Sequence, residues 1–416
     1  MTLTESITPA KLQDKIIMGT LYPVTGFKVS GVYAGIRKIN KPDFTIVASD
    51  MDCTFAAVFT TNQVKAAPVL LDMQRLAENP TQIRAVITNA GNANACTGEP
   101  GLQNAIKTTE LAAEMLGCLP EQVLVLSTGV IGVQLPMDKV AYGIENGVAE
   151  LEEDAWSGAA RSIMTTDTRP KGVSKQCGGY TITAIAKGSG MIAPNMATML
   201  SIVATDAAVP QPLLQKALAA VSAKSFNRIS VDGDTSTNDT VLLLANGASG
   251  TLINEGHGYD EFVGHLTELC TELSQMIVMD GEGATKLIAV HVTGAADDAS
   301  AYAVANTIAI SPLVKTAFYG GDANWGRIMM AAGRAGVPLD QSKLNLWFAV
   351  GKAVSAGLQV VANGTPTHYS EAEASHIFAQ QEITVHLDLG LGTAESTVWT
   401  CDFSHEYVSI NGDYRT

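Results

Sequence analysis

Short apolar runs bounded by glycine, proline and asparagine alternate along the chain with stretches whose apolar residues recur every three to four positions, a pattern that predicts an α/β protein of layered sheets and helices. Residues 26–32 and 44–48 are apolar-polar runs separated by turn residues and predict two strands. Residues 82–88 predict a third. It ends in Asn89-Ala90-Gly91-Asn92-Ala93-Asn94-Ala95, read as a tight loop because asparagine and glycine tolerate backbone angles that other residues avoid. Leu102, Ala105, Ile106, Ala112, Ala113 and Leu116 share one face of a helix that Gly117 and Pro120 stop. A strand over 122–126 runs into Ser127-Thr128-Gly129-Val130-Ile131-Gly132, and helical patterns cover about 138–164, closing on the polar cluster 164–168. Helices are predicted over 212–223 and 261–279, a strand over 287–292, and beyond about residue 295 two helices flanking the loop 320–327, then several strands.

The middle of the chain breaks this rhythm. A strand over 180–187 leads into Lys187-Gly188-Ser189-Gly190-Met191-Ile192-Ala193-Pro194-Asn195-Met196-Ala197-Thr198-Met199-Leu200, and a second extended run, 199–204, leaves it. Gly188 and Gly190 can take backbone angles closed to other residues, while Pro194 fixes its own φ and pushes Ala193 towards extended geometry. One reading is a plain connection between two buried strands. Another is a dinucleotide loop, since Gly188 to Ala193 fits G-x-G-x-x-A. That fingerprint needs a helix to begin inside it, and Pro194 followed by a β-rich run argues against one. The densest polar stretch lies further on, at Ser230-Val231-Asp232-Gly233-Asp234-Thr235-Ser236-Thr237-Asn238-Asp239.

Length and composition narrow the class. The 416 residues suit two or three domains, and a soft boundary falls near 281–297, giving a catalytic domain over 1–281 and a smaller C-terminal α/β domain over 282–416. With 46% hydrophobic and 16% charged residues the chain is neither disordered nor coiled. A formal charge of −15 disfavours nucleic acid and anionic membrane as partners. The six cysteines are scattered, the seven histidines form no metal motif, and neither a signal peptide nor a spanning segment is read, so a reduced, cytoplasmic, metal-free protein is expected.

The mid-chain stretch resembles the self-cleaving motif of the ornithine acetyltransferase family, in which the chain cuts itself before the threonine of Ala-Thr-Met-Leu. Ala197-Thr198-Met199-Leu200 matches letter for letter after the Lys-Gly-Ser-Gly-Met-Ile lead-in. Further matching blocks lie at 89–97, 127–132, 164–168, 230–239, 281–286, 311–316, 322–328 and 411–416, so the likeness spans essentially the whole chain. Ala323 and Gly412 depart from the common proline and alanine.

The resemblance implies an N-terminal-nucleophile-like fold, with sheets sandwiched by helices and cleavage into parts 1–197 and 198–416 that assemble as a heterotetramer of two of each. It implies an acetyltransferase that moves the acetyl group from N2-acetyl-L-ornithine to L-glutamate in arginine biosynthesis. Some members also use acetyl-CoA as co-substrate; no other cofactor is implied. A threonine hydroxyl needs a base, and an N-terminal threonine supplies its own α-amine, whose ordinary pKa is about 7.7–8.0. Thr198 is the implied nucleophile. Thr128 and Gly129 are the implied oxyanion donors, although the residues alone fit an ordinary strand-to-helix turn equally well. Lys187 suits a substrate carboxylate and Glu282 an ammonium, although each alone could be a surface charge. The family's remaining binding positions fall on Thr165 or Thr166, on Thr198 itself, on Asn411 and on the terminal Thr416. Two alternatives stand beside this reading: a related threonine amidohydrolase or aminopeptidase, and an uncut metabolite-binding protein.

Overall fold

A short run such as Val123-Leu124-Val125-Leu126, apolar at every position, suits a strand buried on both faces, because successive side chains point to opposite sides. The computed structural model, which describes residues 11–193, 199–351 and 357–413, has this arrangement. Residues 18–277 form one compact unit; residues from 278 onward, with the described residues before 18, form another. Two sheets packed by helices make the chain a mixed α/β protein, as the residue pattern predicts.

The first unit contains β1 (Phe27–Val32), β2 (Phe44–Phe59), α1 (Ala67–Glu78), β3 (Ile83–Asn92), α2 (Gly98–Leu116), β4 (Val123–Val130), α3 (Met137–Ala149), α4 (Trp156–Ser162), β5 (Lys171–Gln176), β6 (Thr181–Lys187), β7 (Leu200–Thr205), α5 (Gln211–Lys224), the two-residue β8 (Ile229–Ser230), β9 (Thr240–Ala245) and α6 (His257–Met279). Its sheet runs in the order β4-β3-β2-β9-β7-β6-β5, with β1 also paired to β2. The β3–β4 and β7–β9 pairs are parallel, with α2 and α5 respectively lying between their strands in sequence. On one face Ile46, Ala85, Ile87, Val123 and Val125 pack with apolar residues of α1, α2 and α3. On the other, Val47, Val86, Leu124 and Leu126 pack with Trp156, Ala159 and Ala160 of α4.

Three departures from the sequence reading have physical causes. The helical patterns expected over about 138–164 are interrupted, since residues 150–155 are not helical and separate α3 from α4. Glu150, Glu152, Glu153 and Asp154 crowd the negative end of the first, and Glu152 exchanges backbone hydrogen bonds with Val29. Strand β2 does not stop at Ala48. It continues to Phe59 by changing partners, from β3 to β9, with a register shift between Ala48 and Cys53. Strand β3 likewise runs on through Asn89 to Asn92, so part of the expected loop is extended.

The second unit contains β10 (Leu287–Ala295), α7 (Asp298–Ala309), α8 (Pro312–Gly320), α9 (Trp325–Gly333), β11 (Asn345–Val350), β12 (Leu358–Ala362), β13 (Thr365–Pro366), α10 (Glu371–Phe378), β14 (Glu382–Asp388), β15 (Ala394–Cys401) and α11 (His405–Gly412). Its strands follow the order β13-β12-β11-β14-β10-β15. Alternate residues of the sheet, among them Val290, Val292, Leu346, Phe348, Val385 and Val398, form one core with α7, α8, α9 and α10.

Candidate active site

In the first unit the site grows from three strand ends. Strands β3 and β4 pair Ala90 with Thr128 and Gly91 with Gly129. Gly129 has φ of +136°, and a Cβ there would overlap the Gly91 backbone, so only glycine lets the two chains lie this close. Ser127 Oγ donates to Asn89 Oδ1 at 2.6 Å, and Asn238 Nδ2 donates to Ser127 O at 2.8 Å and to Ala93 O at 2.6 Å. The end of β4 is thereby held from two sides just before Thr128.

Lys187, the last residue of β6, is buried and donates from Nζ to Thr128 Oγ1 at 3.3 Å. The Thr128 hydroxyl accepts this bond and keeps its own proton to donate elsewhere. Behind Lys187 lies Asp167. Its Oδ1 accepts from Lys171 Nζ at 2.7 Å and from Gly188 N at 2.6 Å, and its Oδ2 accepts from Thr165 N at 2.9 Å. The Asp167 and Lys171 side chains are both 0% exposed. Burial would push the Asp167 carboxyl up, but the Lys171 and Lys187 ammoniums and its hydrogen bonds outweigh this and hold it well below the usual carboxylate range. Thr165 O accepts from Arg37 Nη2 at 2.9 Å, whereas Thr166 Oγ1 shares a hydrogen bond of 2.7 Å with Ser189 Oγ. Thr128 and Lys187 are therefore in direct contact, and Asp167 ties Thr165 to Gly188, the residue after Lys187, whereas Thr166 is bonded separately to Ser189. Ala197, Thr198 and Thr416 lie outside the described residues.

In the second unit Glu282 is buried in the turn that precedes β10, and its Oε2 accepts from Asn411 Nδ2 at 2.7 Å. Gly283 beside it has φ of +70°. The turn is fixed by Asp402, whose Oδ1 accepts from Thr285 N at 2.8 Å and Lys286 N at 2.9 Å. Two further expected residues are thus in direct contact. Among the described residues no group of three or more His, Cys, Asp or Glu could hold a metal ion, and no helix is long and apolar enough to cross a membrane.

Residues 28–416 match the model of the ArgJ family. The chain belongs to the ArgJ family. It is 48% identical over 400 residues to the arginine biosynthesis bifunctional protein ArgJ of Geobacter sulfurreducens, covering 94% of this chain and 100% of that one. It is 47% identical over 397 residues to the ArgJ protein of Thermotoga neapolitana, covering 94% and 99%. A solved structure described as ornithine acetyltransferase complexed with ornithine, from Mycobacterium tuberculosis, shares 41% identity, covers 43% of this chain and 96% of its own, and superposes with a TM-score of 0.40. ArgJ membership agrees with the family likeness read in the sequence and places the chain among bifunctional proteins of arginine biosynthesis.

Two residues of this ArgJ chain join the site without having been singled out in the sequence. Asp167 lay in plain view beside Thr165 and Thr166, but an aspartate in a polar cluster reads as solvated surface. Asn238 belongs to the polar stretch 230–239, whose density was the available signal; nothing in the sequence says that its amide reaches the end of β4.

Proposed function

We propose that this chain is a glutamate N-acetyltransferase that moves an acetyl group from N2-acetyl-L-ornithine to L-glutamate through an acetyl-Thr198 ester, after cutting itself between Ala197 and Thr198. The observation that carries the reading is the Lys187–Thr128 hydrogen bond, which sets a hydroxyl donor and a buried cation side by side at the end of β6. From that point the chain runs on towards Thr198. In the first step Thr198 Oγ attacks the acetyl carbonyl and its proton passes to the α-amine of the same residue. Thr128 Oγ–H and Gly129 N–H stabilise the oxyanion. The acetyl C–N bond then breaks and the α-amino group of ornithine leaves with that proton. In the second step the glutamate amine attacks the ester and regenerates Thr198. Lys187 takes a substrate carboxylate, Thr165 or Thr166 supplies a hydroxyl contact, Glu282 with Asn411 takes the ornithine ammonium, and Thr416 completes the set. The bifunctional description of the relatives suits acetyl-CoA as a second donor, and the proposal extends to it. The assembly proposed is two copies of each part, in the cytoplasm.

The test is ornithine release from N-acetylornithine with and without glutamate, followed beside a denaturing gel. Release that requires glutamate, from protein migrating as two chains with Thr198 at a new N-terminus, is expected. Equal release into water would make the protein an amidohydrolase. Full activity from an uncut chain would remove Thr198 as an N-terminal nucleophile.

A further inference from the structure

The polar stretch 230–239 supplies no group to the chemistry above, yet it holds the upstream end of the segment that contains the proposed cut, and β9, which follows it directly, holds the downstream end. Upstream, Met191 sits at φ of +56°, a conformation that a non-glycine residue keeps only when its surroundings enforce it. Asp232 does so: Oδ2 accepts from Met191 N at 2.6 Å and Oδ1 from Ile192 N at 2.8 Å. Ile192 O accepts from Val231 N at 2.7 Å and from Ser230 Oγ at 3.1 Å, which fills both of its lone pairs. Ala193 O accepts from Thr235 Oγ1 at 2.9 Å. Downstream, Thr240 N donates to Met199 O at 3.0 Å, and β7 and β9 pair in parallel from Leu200 and Thr240 onward. The same loop reaches the end of β4 through Asn238 and Ser127 O. The loop therefore fixes the upstream leg of the cleavage segment and reaches the strand that carries Thr128, while β9, which it leads into, fixes the downstream leg.

We propose that this loop is a clamp for self-cleavage, in which Asp232 and Thr235 are positioning residues that hold the upstream leg and are dispensable to acetyl transfer once the bond is cut. The proposal rests on the cleavage reading above. Attack of a side chain on its own preceding carbonyl needs no substrate binding. It needs the backbone held in a reactive conformation, and a small departure from that conformation costs rate steeply. Hydrogen bonds to Met191, Ile192 and Ala193 supply that restraint. The acyl donor in the later reaction is a separate molecule positioned by other groups.

The experiment follows fresh full-length precursor on a denaturing gel, then measures acetyl exchange per cut chain after cleavage is complete. Thr235→Val should slow cleavage about tenfold, the worth of one hydrogen bond, and Thr235→Ser, which restores the hydroxyl, should recover most of the rate. Asp232→Ala should slow it by about a hundredfold, because two acceptors are lost. Once cut, each variant should exchange acetyl within about twofold to threefold of wild type. Wild-type rates of cleavage in both Thr235→Val and Asp232→Ala overturn the clamp alone. Equal losses in cleavage and in exchange per cut chain also overturn it, since the loop would then be a general support. A wild-type chain that never cuts overturns the cleavage reading, and the clamp with it.

Discussion

Asp167→Asn tests the electrostatic centre of the site. The wild-type carboxylate accepts from Lys171 Nζ, Gly188 N and Thr165 N, with its own side chain and that of Lys171 fully buried. Asparagine keeps the shape but removes the charge that balances Lys171, and it turns one acceptor into an NH2 group facing an N–H donor. Breaking a buried pair from one side costs about 3–5 kcal/mol. For a unit of this size each kcal/mol moves Tm by roughly 2 °C, so a fall of about 6–10 °C is expected in thermal unfolding followed by circular dichroism. Asp167→Asn combined with Lys171→Met should recover part of the loss, because the ammonium in direct contact with residue 167 is removed with its partner and only Lys187 remains of the two nearby cations. The pH dependence has a definite sign. The native carboxyl is held below its ordinary value of about 3.9, so its contribution is complete above that value and fades as pH falls through it towards the native pKa. The Tm gap between wild type and Asp167→Asn should therefore be widest near neutrality and narrow below about pH 4. A variant that melts within 2 °C of wild type at neutral pH would refute the reasoning.

Thr128→Ala should lower kcat by roughly two to three decades and slow self-cleavage as well, since both reactions pass through an oxyanion; unchanged kinetics in both would remove Thr128 from the mechanism. Gly129→Ala should cost at least about 1–3 kcal/mol in thermal unfolding from backbone conformation alone, with kcat falling as β4 is pushed off β3. Glu282→Gln should raise KM for N-acetylornithine by about tenfold or more while barely affecting an acetylated amino acid with a neutral side chain. Equal KM changes for the two donors would make Glu282 a structural acceptor for Asn411.

What could be read from the sequence depended on whether local pattern or distant contact decides. Apolar runs fenced by turn residues, such as 82–88 and 180–187, give β3 and β6 to within a few residues. The central strand β9 did not emerge, because its apolar run Thr240 to Ala245 directly follows the polar stretch and carries no alternation. Strand β5 was missed for a different reason: Lys171-Gly172-Val173-Ser174-Lys175-Gln176 looks like solvated loop until β6 pairs with it and Asp167 takes up the Lys171 charge. At the site, the block matches brought out Thr128, Thr165, Thr166 and Lys187. The contacts among them cannot be read locally, since Lys187 and Thr128 lie 59 residues apart and meet only because their strands end together.

The strand order gives the proposed cut an unusual consequence. β7 and β9 come from the downstream part, yet they lie between β2 and β6, which come from the upstream part. On one side six residue pairs join β6 to β7, and on the other six join β2 to β9. Scission would thus leave two polypeptides interleaved within a single sheet, each supplying strands that the other needs to cover its edges. The core layer against α4 draws on both, with Val47, Leu124 and Trp156 from one and Leu200, Ile202 and Leu242 from the other. The connectivity that guides the chain to this topology would be erased once it had done its work. Recovery from denaturation would then become a bimolecular search whose yield falls on dilution, whereas an uncut Thr198→Ala chain would still refold as one molecule.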